Sequence, residues 1–393
     1  EHLIKNRLTK IAFLEGNGEV NEQQVYDITE SVLDDNFNLS YHYKVDRFNI
    51  KEFAIDSTTN MPDIVMQNSL LNSYKALIIA KPTIPFNSLD KLLIDQYIMQ
   101  GGKVLWLVDG IKASMDSLQN NLGSFVATKN FLNIDDQLFR YGLRINSNLI
   151  QDLRSNKIPV ITGYSNNVPQ QSYFNWPYSP LLFSDSKHVI SNGLDAIKCE
   201  FVSSIDTIKN NIHKTILLHS SNKSRLIPSP SKISLGILEN PPLLTSYNKK
   251  FLPIAILLEG EFESLFKDKL LQKNNKIKFI KKSASNKMIV VSDGDLIAND
   301  ISKSGVIYPL GYDKNINFTF NGNKHFLINA VQYLCGDNSL SHLKLKDLSL
   351  RMLDKKKIQE NRFIIQLINI ALPILLLITL ALFFISYKKR KYA

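Results

Sequence analysis

The chain has 393 residues, 44% of them hydrophobic and 21% charged, with a formal net charge of +11. That hydrophobic share excludes a disordered chain, and the length exceeds one average domain. The basic residues are spread along the whole sequence with no stripe interleaved with aromatics, so the charge reads as nonspecific basicity and no nucleic acid is expected as a partner.

The first half alternates strand and helix signals. Thr9 to Glu15 is a short apolar run that ends in Gly16 and Gly18. Asn21 offers an N-cap with Gln24 three residues on, and Val25, Ile28, Val32 and Leu33 give a helical face. Ser40 to Val45 reads as a second strand, and residues 46–72 as polar and irregular. Tyr74 to Ala80 is a buried-strand run closed by Pro82. A helix is predicted from Ser88 to Gln100, with Leu89, Leu92, Leu93 and Tyr97 on one side and Gly101-Gly102 as its stop. Lys103 to Val108 is the next strand, ending at Asp109-Gly110. Strand, helix, strand at this spacing predicts a parallel sheet in an α/β fold.

The second half is richer in strands, predicted at Lys198–Ile205, Lys214–His219, Leu252–Leu258 and Lys287–Ser292. Arg225 to Ile233 carries two prolines and reads as an exposed loop. Phe174 to Pro180 reads as an aromatic, proline-rich loop. Asn323 is expected to cap a helix running through Cys335 and stopped by Gly336. These signals suggest an α/β domain over 1–190, a strand-rich α/β part over 191–345 and a charged helical stalk over 346–362.

Phe363 to Tyr387 follows, with no charge in the run. As a helix it would be about 37 Å long, enough to cross a hydrocarbon core of roughly 30 Å. Lys388, Lys389, Arg390 and Lys391 abut it within a basic tail, 388–393, and favour a cytoplasmic C-terminus with an extracytoplasmic domain. Arg351, Lys355, Lys356, Lys357 and Arg362 on the other side weaken that signal. Pro373 is tolerable inside the span, and Gln366 and Asn369 would face either a protein partner or the lipid interface.

Several constellations invite chemistry. Asp293-Gly294-Asp295 follows the apolar strand MIVVS, and two carboxylates at a strand end can hold Mg²⁺; turn formation explains the same residues. Glu15-Gly16-Asn17-Gly18-Glu19 could bring backbone N–H groups to an anion, although Glu15 and Glu19 would repel phosphate. Trp176 and Tyr178, in the predicted aromatic loop, could form a ligand or partner surface, or plug a domain edge. The seven histidines lack metal or triad spacing, and Cys199 and Cys335 lack metal or elbow spacing. Cys335 reads as a packing residue, and no cofactor is indicated.

Taken in order, KIAFLEGNGEV (10–20), IIAKPTIPF (78–86), IDQYIMQGGKVLWLVDG (94–110), WPYSPLL (176–182), LLHSSNKSR (217–225), PIAILLEGEFESLF (253–266), MIVVSDGDLIAND (288–300), NKHFLINAVQYLCGD (323–337) and INIALPILLLI (368–378) span nearly the whole chain. Together they resemble the auxiliary, GldG-type component of the gliding-motility ABC transporter of Bacteroidota. The resemblance implies an inner-membrane protein whose periplasmic region lies between an N-terminal and a C-terminal transmembrane helix. It implies a permease and a cytoplasmic ATPase subunit as partners. It also implies a Rossmann-like domain, distantly similar to class I glutamine amidotransferases, that binds or scaffolds rather than catalyses. The chain begins at Glu1, which is compatible with a membrane segment before it. A solute- or glycan-binding module and a membrane-anchored metal-dependent enzyme stay open as alternatives.

Overall fold

The computed structural model describes residues 8–32, 38–55, 60, 62–120, 123–184, 187–268, 279–336 and 362–392. The chain divides into two compact units, Glu1–Leu345 and Lys346–Ala393.

A seven-stranded mixed sheet organises the first unit. Its strands are β1 (Thr9–Glu15), β2 (Tyr43–Asn49), β3 (Ala76–Ala80), β4 (Lys103–Leu107), β7 (His213–His219), β8 (Pro253–Glu263) and β9 (Lys282–Val291), in the order β7-β8-β9-β4-β3-β1-β2. The numbers β5 (Ser155–Ser165) and β6 (Val168–Leu182) belong to a hairpin outside this sheet. From β9 to β2 all neighbours run parallel, whereas β8 is antiparallel to β9 and to β7.

Strand alternation sorts the side chains onto two apolar faces. Ile11, Phe13, Ile78, Leu105, Leu107, Ile289 and Val291 pack on one face, against helix α3 (Gly322–Cys335) through Phe326, Leu327, Ala330 and Leu334. Ala12, Leu14, Leu77, Ile79, Val104, Trp106, Met288 and Val290 pack on the other, with helix α2 (Ser88–Met99) through Leu93, Ile94, Tyr97 and Ile98. Helix α2 starts at a capping box in which Asn87 accepts from Asp90 N and Asp90 accepts from Asn87 N. Helix α1 (Ile64–Leu71) lies inside the stretch read as irregular.

The sheet draws strands from both sides of residue 190. Strands β8 and β9, from the strand-rich part, insert beside β4, because their runs PIAILLEG and MIVV are apolar on both faces and need both layers. Arg225–Ile233 is likewise not a loop: Ser224–Pro228 pairs with Asn148–Asp152, and Ser231–Ser234 with Ser124–Lys129. Phe174–Pro180 lies within β6. Its prolines are accommodated because the ladder is interrupted between Asn175 and Pro180, where no donor is needed.

In the second unit, α4 (Arg362–Tyr392) contains Pro373 and a stretch of 20 residues, Asn369–Lys388, long and apolar enough to cross a membrane. Residues 346–361 of the expected stalk and the terminal Ala393 lie outside the described residues.

Candidate functional site

Because β3, β4 and β9 are parallel neighbours, the segments leaving their carboxyl ends converge. They deliver Lys81, Asp109 and the turn Asp293-Gly294-Asp295. Lys81 takes a left-handed backbone with φ 52° and pairs its ammonium with Asp295. A Cβ at Gly294 would stand 2.7 Å from Lys81 Cγ and 2.8 Å from Lys81 Cβ, so glycine is needed to let the lysine pass. Asp293 Oδ1 accepts from Asp295 N at 2.8 Å and Leu296 N at 3.2 Å, and its Oδ2 accepts from Glu200 N at 3.1 Å. Asp109 Oδ1 accepts from Gly294 N at 2.6 Å.

The three carboxylates place oxygens within 4.8 Å of one another, a donor set that suits a hard cation. Burial, then the charge on Asp295, pushes Asp109 up to about 7. Burial, then Asp295 and Asp109, pushes Asp293 well above the usual carboxylate range. Burial opposes charge on Lys81, but Asp295, Asp109 and Asp293 outweigh it and hold the ammonium protonated above its ordinary value. Lys81 thus places a tethered cation against the carboxylates that a divalent ion would need. Asp293-Gly294-Asp295 works here as turn chemistry: its backbone N–H groups and Asp293 close the loop, and its glycine seats the lysine.

A cavity of about 250 Å³ opens beside this clasp. Lys81 and Asp295 line one part of it, and Lys198, Glu200 and Asp313 another. Lys198 Nζ lies 3.1 Å from Glu200 and 3.2 Å from Asp313, and Asp313 also accepts from Asn156 Nδ2 at the root of β5. Burial opposes charge on Lys198, yet Glu200 and Asp313 hold it protonated. Asn323, expected as a helix cap, instead reads the backbone of Lys198, accepting from its N at 2.9 Å and donating to its O at 2.8 Å. Cys199 is buried next to Asp293, and burial pushes its thiol well up, which makes it a poor nucleophile.

The other residues singled out from sequence lie outside this cluster of carboxylates. Glu15 pairs with Arg47. Glu19 Oε2 accepts from Asn17 N at 2.7 Å, so the anion this glycine loop cradles is its own. Asn17 is buried, and its carbonyl receives Thr83 N and Ile84 N. Trp176 and Tyr178 are 1% and 4% exposed and belong to a third apolar cluster with Ile158 and Phe201, so they offer no open aromatic platform, although Trp176 contributes to the cavity wall. Gln366, Asn369 and Pro373 lie along α4, where Asn369 and Pro373 are exposed. Lys81, Asp109, Lys198, Glu200 and Asp313 were missed from sequence. The available signal was position alone: Lys81 and Asp109 each stand just past a buried strand.

A family model described as "ABC-type uncharacterized transport system" matches residues 8–330. The chain belongs to this family of ABC transport auxiliary proteins. Membership supports an accessory role in an ABC transporter and association with its complex, and the apolar helix α4 suggests a membrane anchor. No curated protein matches the chain. Among solved structures it is similar to one titled "mmIFT52 N-terminal domain", at 14% identity, covering 83% of this chain and 97% of that one with a TM-score of 0.41. So low a TM-score assigns no fold.

Proposed function

We propose that this protein is a membrane-anchored, non-catalytic subunit of an ABC transport complex, in which the α/β domain binds or scaffolds while a permease and an ATPase move the cargo. The observation that carries this reading is the engagement of Asp109, Asp293 and Asp295 at the sheet's carboxyl end. Asp293 and Asp109 accept backbone N–H groups, and Asp295 holds Lys81. An acid–base enzyme needs a carboxylate or amine poised toward substrate, and here backbone N–H groups hold Asp293 and Asp109 while Asp295 and Lys81 hold each other. The adjoining cavity is where such a module would take a small ligand.

The finer reading follows the sequence resemblance: a gliding-motility transporter of Bacteroidota, a Rossmann-like domain in the periplasm, and α4 crossing the inner membrane with its basic end in the cytoplasm. Purification of the full chain in mild detergent from its own cells tests the central claim. Stoichiometric recovery of a permease and an ATPase is the expected result, and recovery of the chain alone overturns it. Protection of Lys388–Lys391 from protease added to spheroplasts tests the topology, and cleavage there overturns it.

A further inference from the structure

Strands β5 and β6 form a two-stranded ribbon turned at Asn166 and Asn167, both with left-handed backbone (φ 49° and 63°). Its root is fixed, since Ile158, Trp176 and Tyr178 are buried in the third apolar cluster. Its outer part is not covered: Ile161 is 51% exposed, Tyr164 72%, Val168 64% and Tyr173 52%. The register sets Tyr173 opposite Pro159, Ile161 opposite Gln171 and Tyr164 opposite Pro169. With the irregularity between Gln170 and Gln171, Tyr173, Ile161 and Tyr164 fall on one face.

The charge pattern is as telling. No Asp, Glu, Lys or Arg occurs from Ile158 to Phe183, in a chain that is 21% charged. Loss of charge with enrichment of tyrosine and phenylalanine is the compositional mark of a protein–protein contact. A two-stranded ribbon is also marginal by itself in water. Its exposed side chains offer on the order of 500 Å², a large part of the roughly 800 Å² that each side contributes to a standard interface.

We infer that the β5–β6 arm is a docking element for the permease subunit of the ABC transport complex, which shares the periplasmic side proposed above and presents a charge-poor surface to Tyr164, Tyr173 and Ile161. This rests on the accessory-subunit reading above. A bilayer is a poor occupant, because the leading end of the arm carries Asn166, Asn167, Gln170, Gln171 and Ser172, whose amides and hydroxyl would lose water without gaining partners. A second copy of this chain brings the same net charge of +11 and so approaches against its own repulsion.

The test uses the full chain in native membranes, with a photo-crosslinking amino acid at position 164 and a control at the exposed Lys303. Expected is an adduct from position 164, absent from position 303, in which mass spectrometry identifies the permease subunit. An adduct with a second copy, an adduct with lipid, or none overturns the inference. A Tyr164→Glu, Tyr173→Glu double variant should retain the wild-type melting temperature and lose co-purifying transporter subunits at least tenfold. If wild type brings down those subunits and the variant does so equally, the arm assignment fails alone. If wild type brings down neither, the accessory-subunit reading fails with it.

Discussion

Asp109→Asn isolates the electrostatics of the clasp. The substitution keeps the shape of the side chain and leaves an oxygen to accept from Gly294 N. Burial and Asp295 raise the wild-type carboxyl from its ordinary 3.8 to about 7. The folded state therefore binds this proton more tightly than the unfolded chain does. For an acid shifted in this direction, stability is greatest below about pH 4 and is lost as pH rises toward 7. The gap corresponds to an upper bound of about 4 kcal/mol. Asp293, buried beside it and raised in the same direction, shares in the titration, so about 2 kcal/mol belongs to this one substitution. The amide cannot ionise, so the variant should match wild type near pH 4 and exceed it at pH 8. For a domain of this size the gain is about 4 °C in melting temperature. Both tryptophans, Trp106 and Trp176, are buried in the first unit, so intrinsic fluorescence of the full chain in detergent follows this domain. Parallel pH profiles for the two proteins, or a variant less stable than wild type at pH 8, would refute the argument.

Other substitutions probe the same architecture. Gly294 has φ −79°, so Gly294→Ala adds no backbone strain but drives a methyl onto Lys81, and it should cost about 2 kcal/mol in denaturant melts. Gly163→Ala, with nothing within 4 Å of its new methyl, should be close to neutral. Lys81→Ala removes the tethered cation, and Mn²⁺ binding followed by electron paramagnetic resonance should strengthen at least tenfold relative to wild type; equal binding would show that the ammonium does not guard the carboxylates. Asp95 is buried and accepts from Tyr141 Oη at 2.8 Å, Ser264 Oγ at 2.6 Å and Leu265 N at 2.9 Å. Asp95→Ala orphans those donors and should cost about 3 kcal/mol, seen as a lower melting temperature. Trp176→Ala should likewise lower the melting temperature, by the equivalent of about 3 kcal/mol, because the ring is core.

The central strands were legible because their signal is local. TKIAFLE, ALIIA and KVLWL are apolar on both faces and are bounded by Gly or Pro, so β1, β3 and β4 fell close to their predicted places. The pairing of Asn21 with Gln24 was also readable, and each side chain accepts from the other's backbone N–H, although the helix that follows is only Tyr26–Thr29. Ser40–Val45 was misread because Asn38 caps a turn of helix over Leu39–His42 and delays β2 to Tyr43. Helix Ile64–Leu71 was hidden by its weak segregation of apolar from polar residues. The site was mostly illegible for a different reason. Lys81 and Asp295 are far apart in sequence, and only the parallel order β9-β4-β3 makes them neighbours. Phe174–Pro180 was misread as a loop because Pro177 and Pro180 fall at a break in a ladder that still forms on either side of it.

The late arrival of β9 has a consequence for how the protein is made. Strands β1 to β4 are complete once residue 107 has left the ribosome, but β9, the partner of β4 on its open side, ends only at Val291. Until then β4 presents an unpaired, apolar strand edge, the kind of surface that templates aggregation. The nascent chain must be shielded over that interval, and shielded longer if it is threaded across a membrane before it folds. Any truncation before β9 leaves the same edge permanently open. Biogenesis of this protein should therefore be all-or-none with respect to β8 and β9, with chaperone dependence concentrated in the middle of synthesis.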